Sequence, residues 1–191
     1  MKLDTKKFLD TPSQTAGPFL HIGCTPDLID INLFKENIGK LPFENKPLEN
    51  SIIINGKIFD GNDEPIKDAM IESWQCDEHG IFHTQKGFVR VITNFNTGEY
   101  IIKTVKPGLF RDKTGLEHVP HVLFWIFAKG MNRPLITKMY FKLEELKKDK
   151  IFKKFEEKDR MSTLIPKAQD ENNYEFNIYI QGKKETIFFE I

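Results

Sequence analysis

The chain has 191 residues, of which 39% are hydrophobic, and its 28 basic residues balance its 28 acidic residues. A chain without net charge lacks the broad basic face that binds nucleic acid or an anionic membrane, so we expect small-molecule or protein partners. The length suits one hydrophobic core. We therefore predict a single domain over residues 1–191, with an N-terminal arm and irregular lead-in over 1–50 ahead of the main fold at 51–191.

Two cysteines, Cys24 and Cys76, lie too far apart in the sequence for a metal-type spacing. The first ten residues, MKLDTKKFLD, contain no apolar run typical of a signal peptide. The longest apolar run, Val122 to Ala128, is far shorter than the ~20 residues that a membrane-spanning helix needs. These features predict a cytoplasmic protein with reduced thiols.

The segment TPSQTAGPFLHIG, residues 11–23, contains two prolines and two glycines. Each proline fixes its own φ angle and favours extended geometry at the residue before it, here Thr11 and Gly17. We therefore predict a stiff arm without regular helix. Residues 24–50 carry scattered apolar positions and three further prolines, which indicates an irregular lead-in.

Eight runs rich in β-branched and aromatic residues follow, separated by turn residues. They are SIIINGKIFD (51–60), AMIESWQC (69–76), FVRVITNF (88–95), EYIIKTV (99–105), HVLFWIFAKG (121–130), PLITKMYF (134–141), YEFNIYIQG (174–182) and KETIFFEI (184–191). Asn96-Thr97-Gly98 predicts a hairpin between the third and fourth runs. The continuous apolar character of the fifth run predicts a strand covered on both faces and paired with the sixth.

Residues 143–160 change period, because Leu143, Leu146, Ile151, Phe152 and Phe155 are spaced as on one face of a helix. The many charges between them are typical of a solvated helix face. We predict one surface helical insertion near 143–160. The whole pattern predicts an all-β fold, a β-sandwich of about seven to eight strands with an N-terminal arm and that insertion.

Histidines are the remaining candidates for a metal site, since no nucleophile elbow, phosphate loop or zinc spacing is present. His79 with His83, and His118 with His121, form two short segments that could converge on one ion. The alternative is structural: His79 in a turn, His118 exposed, and His121 at the core edge with a hydrogen bond to backbone. The residues alone leave both readings open.

Several segments are typical of one enzyme family: TPSQTAGPFLHIG, GKIFDGNDEPIKDAMIESWQCDEHGIF, TGEYIIKTVKPG, PHVLFWIFAKG and YEFNIYIQGKKETIFFEI. Over almost its whole length the chain resembles the intradiol ring-cleaving dioxygenases. The arm and the closing segment resemble in particular the alpha subunits of those members that are built from two homologous chains.

The resemblance implies where the iron is held. Catalytic chains of this family bind non-haem Fe(III) through two tyrosines and two histidines, and the matching positions here are Phe82, Phe110, His121 and Leu123. Only His121 carries a donor atom. The resemblance therefore implies that this chain holds no metal and no catalytic residue, and that a homologous beta subunit carries the Fe(III) in an alpha–beta hetero-oligomer.

The resemblance also implies a substrate-binding role for the arm. Thr15, Gly17 and Pro18 match residues that form one wall beside the aromatic substrate in the partner's site, and Lys129 stands where the family usually has an arginine near the substrate carboxylate. The implied reaction is the O2-dependent cleavage of protocatechuate to 3-carboxy-cis,cis-muconate. The alternative is a metal-free β-sandwich that serves as a binding or scaffolding module, with a simple surface arm and an ordinary solvated Lys129.

Overall fold

The computed structural model describes residues 14–26, 30–31, 39, 43, 51–84, 86–149, 152 and 158–190. The strands in this part of the chain are β1 (Ser51–Phe59), β2 (Met70–Trp74), β3 (Phe88–Ile92), β4 (Glu99–Val105), β5 (Phe110–Arg111), β6 (Glu117–His118), β7 (His121–Phe127), β8 (Leu135–Tyr140), β9 (Lys167–Ala168), β10 (Asn173–Glu175) and β11 (Ile178–Tyr179). The helical elements are α1 (Pro18–Cys24), α2 (Leu143–Leu146) and a 3-10 helix over Lys158–Leu164.

Two sheets pack face to face, as the sequence predicts. In the first sheet β1 pairs antiparallel with β4 and parallel with β10 and β11, and β9 extends it beside β10. The second sheet has the antiparallel order β3-β2-β7-β8. Strands β5 and β6 form a separate two-stranded ribbon. This architecture confirms the predicted β-sandwich.

The main core lies between the sheets because alternate residues of each strand point inward. Along β1 every second residue is buried, and the buried face of β7 carries Val122, Phe124 and Ile126. The hydroxyl of Tyr100 donates a hydrogen bond to the carbonyl of Phe176 at 2.5 Å, so the one polar atom of this ring is satisfied inside the core. Full burial of each such side chain stabilises the fold by about 1.5 to 3 kcal/mol.

A smaller core lies beneath the helical segment: Tyr140, Leu146, Phe152, Met161, Leu164 and Ile187. The helical insertion predicted near 143–160 is broken, because α2 ends at Leu146, the next three residues form turns, and a 3-10 helix begins at Lys158. Burial of Leu146 and Phe152 against β8 explains the helix-like spacing without a long helix. Two residues of the predicted face, Ile151 and Phe155, lie outside the described residues.

The predicted hairpin between β3 and β4 is wrong. Strand β3 pairs with β2 in the second sheet, whereas β4 pairs with β1 in the first. The turn itself is real, since Gly98 N donates to Asn94 O at 2.7 Å and the Asn94 side chain accepts from the next turn amides. The turn therefore carries the chain from one sheet to the other, and local turn chemistry does not specify which sheet follows.

The predicted strand KETIFFEI is also wrong, because residues 184–190 contain no strand. The segment lies along the edge of β8, where Phe189 N donates to Ile136 O at 2.8 Å and Thr137 Oγ1 donates to Ile187 O at 2.7 Å. These two bonds are too sparse for a strand ladder. By contrast, the predicted pairing of β7 with β8 is confirmed over His121 to Ile126.

The strand count differs from the prediction for a simple reason. Four of the eleven described strands, β5, β6, β9 and β11, span only two residues. Two residues cannot show an alternating pattern, whereas the seven longer strands each overlap one of the eight predicted runs. The YEFNIYIQG run shows the same effect, because its inward residues Tyr174, Phe176 and Ile178 are buried while the strand is interrupted between β10 and β11.

The prediction of an arm without regular helix is wrong, because Pro18–Cys24 form the helix α1. Gly17 is extended, as expected before a proline, but Pro18 begins α1. Proline suits the first helical position because its fixed φ is helical and its missing N–H would have no partner there. The Thr25 hydroxyl closes the helix by donating to His21 O at 2.8 Å. No helix in the described part of the chain is long and apolar enough to cross a membrane.

Gly56 gives a direct test of the packing of β1 against β10. A Cβ at this position would lie 2.1 Å from the backbone oxygen of Phe176, whereas a Cβ at Gly23 would meet nothing within 4 Å. We expect Gly56→Ala to lower the free energy of unfolding by about 2 to 3 kcal/mol, because backbone must shift. Chemical denaturation measures this, with Gly23→Ala as the control. An unchanged stability for Gly56→Ala would contradict the close approach of the two strands.

Candidate functional site

The arm is held against the loop that joins β7 to β8. Ala16 forms a parallel bridge with Lys129, and its amide donates to Met131 O at 3.4 Å. The Thr15 hydroxyl accepts a hydrogen bond from Gly130 N at 2.7 Å. The fold therefore brings together two of the predicted site residues, Thr15 and Lys129, that are far apart in the sequence.

The remaining predicted wall residues follow at once in the chain. Gly17 has extended backbone and is only partly buried, and a Cβ built on it would meet nothing within 4 Å. Pro18 begins α1 directly after it. We call residues 15–18 the wall segment. Its neighbour Lys129 is exposed, and Gly130 has a φ of +87°, a conformation that glycine adopts without strain.

Three of the four family ligand positions lie in contact at the other end of β7. The rings of Phe82 and Phe110 meet edge to face with centroids 4.9 Å apart, and the Phe110 ring lies 5.5 Å from that of His121. Leu123 follows two residues along β7, opposite Trp74 of β2. The four positions therefore belong to one place in the fold, as the resemblance implies.

The side chains at these positions do not fit an iron ion. Phenylalanine and leucine offer no donor atom, so His121 alone could bind a metal. His121 Nδ1 shares a hydrogen bond with Val119 O at 2.8 Å, and burial, with the nearby Lys138 charge as a smaller cause, lowers the pKa of His121 to about 3. The imidazole is therefore neutral at pH 7. One imidazole does not make a ferric site, which needs several anionic or imidazole donors.

His118 is buried, so the predicted exposed position is wrong. Its Nε2 lies 3.0 Å from Asp112 Oδ2, and its ring stacks on Phe110 with centroids 4.7 Å apart. The hydrogen bond from His118 holds the pKa of Asp112 below its usual range. Asp112 also accepts from the amides of Thr114 and Leu116, which shapes the β5–β6 turn. The sequence signal for this contact was the turn motif Asp112-Lys-Thr-Gly.

The two histidine pairs do not form a joint metal site. His79 lies exposed in a turn, as the structural reading predicts, while His83 Nε2 lies 2.9 Å from Asp77 Oδ2. The buried Asp77 carboxylate also accepts from the amides of His79 and Ile81, and so organises its own loop. Within the described ranges, no three histidine, cysteine, aspartate or glutamate side chains are grouped so as to hold a metal ion.

The wall segment and the ligand positions are separated by the length of β7. His121 begins this strand and Lys129 follows its end, which at 3.3 Å per residue places them roughly 25 Å apart. The wall segment therefore does not face this chain's own ligand positions.

Comparisons with known proteins show the family of the chain. Residues 26–182 match the family model described as Dioxygenase. The chain is 34% identical over 194 aligned residues to the protocatechuate 3,4-dioxygenase alpha chain of Pseudomonas putida, an alignment that covers 95% of this chain and 96% of the relative. It is 27% identical to the alpha chain from Burkholderia cepacia, over 95% and 97% of the two chains. The beta chain from Burkholderia cepacia is 26% identical, over 74% of this chain and 68% of the relative.

Solved structures share the fold. Catechol 1,2-dioxygenase from Acinetobacter sp. ADP1 superposes with a TM-score of 0.58 at 16% identity, over 74% of this chain and 55% of that enzyme. An intradiol ring-cleavage dioxygenase from Tetranychus urticae gives 0.58 at 16% identity, over 78% and 89% of the two chains. Since the family model spans most of the sequence and an alpha chain matches nearly its full length, this chain belongs to the intradiol ring-cleaving dioxygenase family.

Proposed function

We propose that this chain is the alpha subunit of a protocatechuate 3,4-dioxygenase. It forms a hetero-oligomer with a homologous beta chain, and its wall segment lines the substrate pocket of that partner. The beta chain carries a non-haem Fe(III) that supplies the oxygen chemistry, by which O2 cleaves protocatechuate between its hydroxyls to give 3-carboxy-cis,cis-muconate. The near full-length match to two alpha chains supports this assignment.

The observation that carries the proposal is the contrast between the two ends of β7. At one end, Phe82, Phe110 and Leu123 stand where the family's ligands would be, and they offer no donors. At the other end, hydrogen bonds hold the arm beside Lys129. An alpha subunit whose arm lines the pocket of a metal-binding partner would have both of these features.

Gly17 supports a wall that faces a partner. Nothing in the described part of this chain approaches the position of its missing Cβ, so the sandwich itself does not require a glycine there. Close approach of another molecule to the backbone at this position does require a glycine. Pro18 stiffens the segment, because it fixes the backbone where α1 begins. These features suit a backbone surface against which a flat aromatic ring packs.

The surface beside the wall segment is apolar and uncovered. The Phe19 side chain is 85% exposed, and Ile22 on the same short helix is also exposed. On the other side of α1, His21 Nε2 lies 2.6 Å from Asp68 O, which fixes the helix to the sandwich. Adjacent exposed apolar side chains mark surfaces that a partner protein covers. We assign this surface to the beta chain.

Co-expression with the beta chain tests the proposal as a whole. We expect a stable complex that takes up oxygen when protocatechuate is added, with the ring-opened product measured by its absorbance. A complex that forms but takes up no oxygen would favour the binding or scaffolding alternative.

The absence of donors at Phe82 and Phe110 predicts the metal content of the chain alone. We expect far less than one ferric ion per chain after incubation with ferric salt, and no visible absorption band, because that band needs a phenolate on the iron. Elemental analysis and a visible spectrum measure this, with the co-expressed complex as the positive control. One iron per isolated chain with a visible band would contradict the assignment of the ligand positions.

The hydrogen bond that the Thr15 hydroxyl accepts from Gly130 N allows a test of its contribution to holding the arm in place. Thr15→Val keeps the shape of the side chain but removes the acceptor for Gly130 N, so we expect kcat/KM for protocatechuate in the assembled enzyme to fall about 5- to 10-fold. Thr15→Ser retains the acceptor and is the matched control. If Thr15→Val and Thr15→Ser gave equal, unchanged kinetics, the arm would not depend on this bond.

Substitution of Lys129 is expected to affect the binding of protocatechuate but not that of catechol. If its ammonium binds the substrate carboxylate, Lys129→Ala should weaken protocatechuate binding about 10- to 100-fold, the range for hydrogen bonds to charged groups. Catechol, which has no carboxylate, should bind unchanged. Lys129→Arg should preserve or strengthen protocatechuate binding, because a guanidinium offers two parallel donors.

The measurement is the apparent affinity of the assembled enzyme and of its Lys129 variants for protocatechuate and for catechol. Equal losses for protocatechuate and catechol would show that Lys129 supports structure or assembly instead. No loss for either ligand would make it a solvated charge at the end of a strand.

A further inference from the structure

Arg133 differs from the other arginines of the chain. The sequence contains four arginines, all within the described residues. Three of them hold carboxylates of this chain, in the pairs Arg90–Glu72, Arg111–Glu117 and Arg160–Glu185. Arg133 is exposed, and no described residue forms a hydrogen bond or ion pair with it. Its guanidinium is therefore available to an anion from outside the chain.

The position of Arg133 links it to the wall segment. It lies in the loop between β7 and β8, residues 128–134, which is closed by the pairing of Ile126 with Leu135. The same loop carries Lys129, and its backbone holds the arm through Gly130 and Met131. Arg133 is four positions after Lys129 in the chain, so their Cα atoms lie at most about 14 Å apart. Two long side chains can converge on one ligand over that distance.

The electrostatics of this surface favour an anion. Neither the loop at 128–134 nor residues 14–24 of the arm and α1 contain an aspartate or glutamate. Lys129 and Arg133 therefore place two positive charges beside the wall segment without an acidic neighbour in either segment. Elsewhere in the described chain, the exposed Lys142 pairs with Glu145 and the exposed Lys184 pairs with Asp63.

We propose that Arg133 is a specificity-determining residue, which together with Lys129 binds the carboxylate of the aromatic substrate. This inference rests on the proposed function and adds a residue to it. A planar guanidinium donates two parallel N–H bonds to a carboxylate, which the single ammonium of Lys129 cannot do. Arg133 supplies the paired donors, and Lys129 adds a second positive charge. The selected substrate is a diol-bearing aromatic acid.

The test uses the assembled alpha–beta enzyme and two substrates that differ in charge only at one group. Protocatechuate carries a carboxylate, and 3,4-dihydroxybenzamide carries a neutral amide of similar size. We expect Arg133→Ala to lower kcat/KM for protocatechuate about tenfold, mainly through KM, and to leave the amide unchanged. Arg133→Lys should recover part of the loss, because it restores the charge without the paired donors.

Arg111→Ala is the matched control. It removes an exposed guanidinium and the same unit of charge, but on the β5–β6 ribbon next to the ligand positions and far from the wall segment. We expect no change for either substrate. If Arg111→Ala lowered kcat/KM for protocatechuate as much as Arg133→Ala, the effect would be long-range attraction and the inference would be overturned.

The remaining outcomes separate this inference from the proposed function. An active complex in which Arg133→Ala leaves protocatechuate kinetics unchanged, or lowers both substrates equally, would overturn the inference and leave the function standing. A wild-type complex that forms but takes up no oxygen would overturn the function, and the role of Arg133 with it.

Discussion

The pairing of β7 with β2 and β8 is the constraint on which the rest of the structure depends. One face of β7 fills the core with Val122, Phe124 and Ile126, which fixes the register of the strand. A shift by one residue would turn these side chains to the outside. The fixed register places His121 at one end and Lys129 beyond the other. The positions of the wall segment and of the family ligand positions both follow from that placement.

At the His121 end of β7, the side chains at the positions that match the family's metal ligands make ordinary packing contacts. Phe110 meets Phe82 edge to face and stacks on His118, and aromatic pairs of this kind stabilise a fold by about 0.5 to 1.5 kcal/mol beyond their buried area. His121 satisfies one ring nitrogen on backbone and stays neutral. Side-chain contacts therefore hold these positions together in the fold.

The sequence predicted what depends on local pattern. Runs of β-branched and apolar residues predicted β1, β4, β7 and the pairing of β7 with β8, and the quoted motifs indicated the family that the comparisons then showed. The errors lie where tertiary context decides. The turn at Asn94–Gly98 could not reveal that β3 and β4 belong to different sheets, and the burial of Leu146 and Phe152 imitated a helix face.

The candidate site, too, was predicted from the sequence only in part. The resemblance pointed to Thr15, Gly17, Pro18 and Lys129, whose roles stay a prediction, but only the structure brings the arm and the loop into contact. Arg133 was missed because an exposed arginine in a loop has no distinctive sequence pattern. Its significance depends on the carboxylate partners that the other three arginines have. The division into an arm over 1–50 and one domain over 1–191 stays a prediction as well.

The central claim is that the beta chain binds the iron, whereas this chain provides the wall segment of the substrate pocket. A structure of the alpha–beta complex with bound protocatechuate, with iron located by its anomalous scattering, tests this most directly. The account predicts an iron peak in the beta chain alone, with residues 15–18 of this chain packed against the substrate ring. An iron peak among Phe82, Phe110 and His121, or a wall segment that faces solvent in the complex, would contradict it.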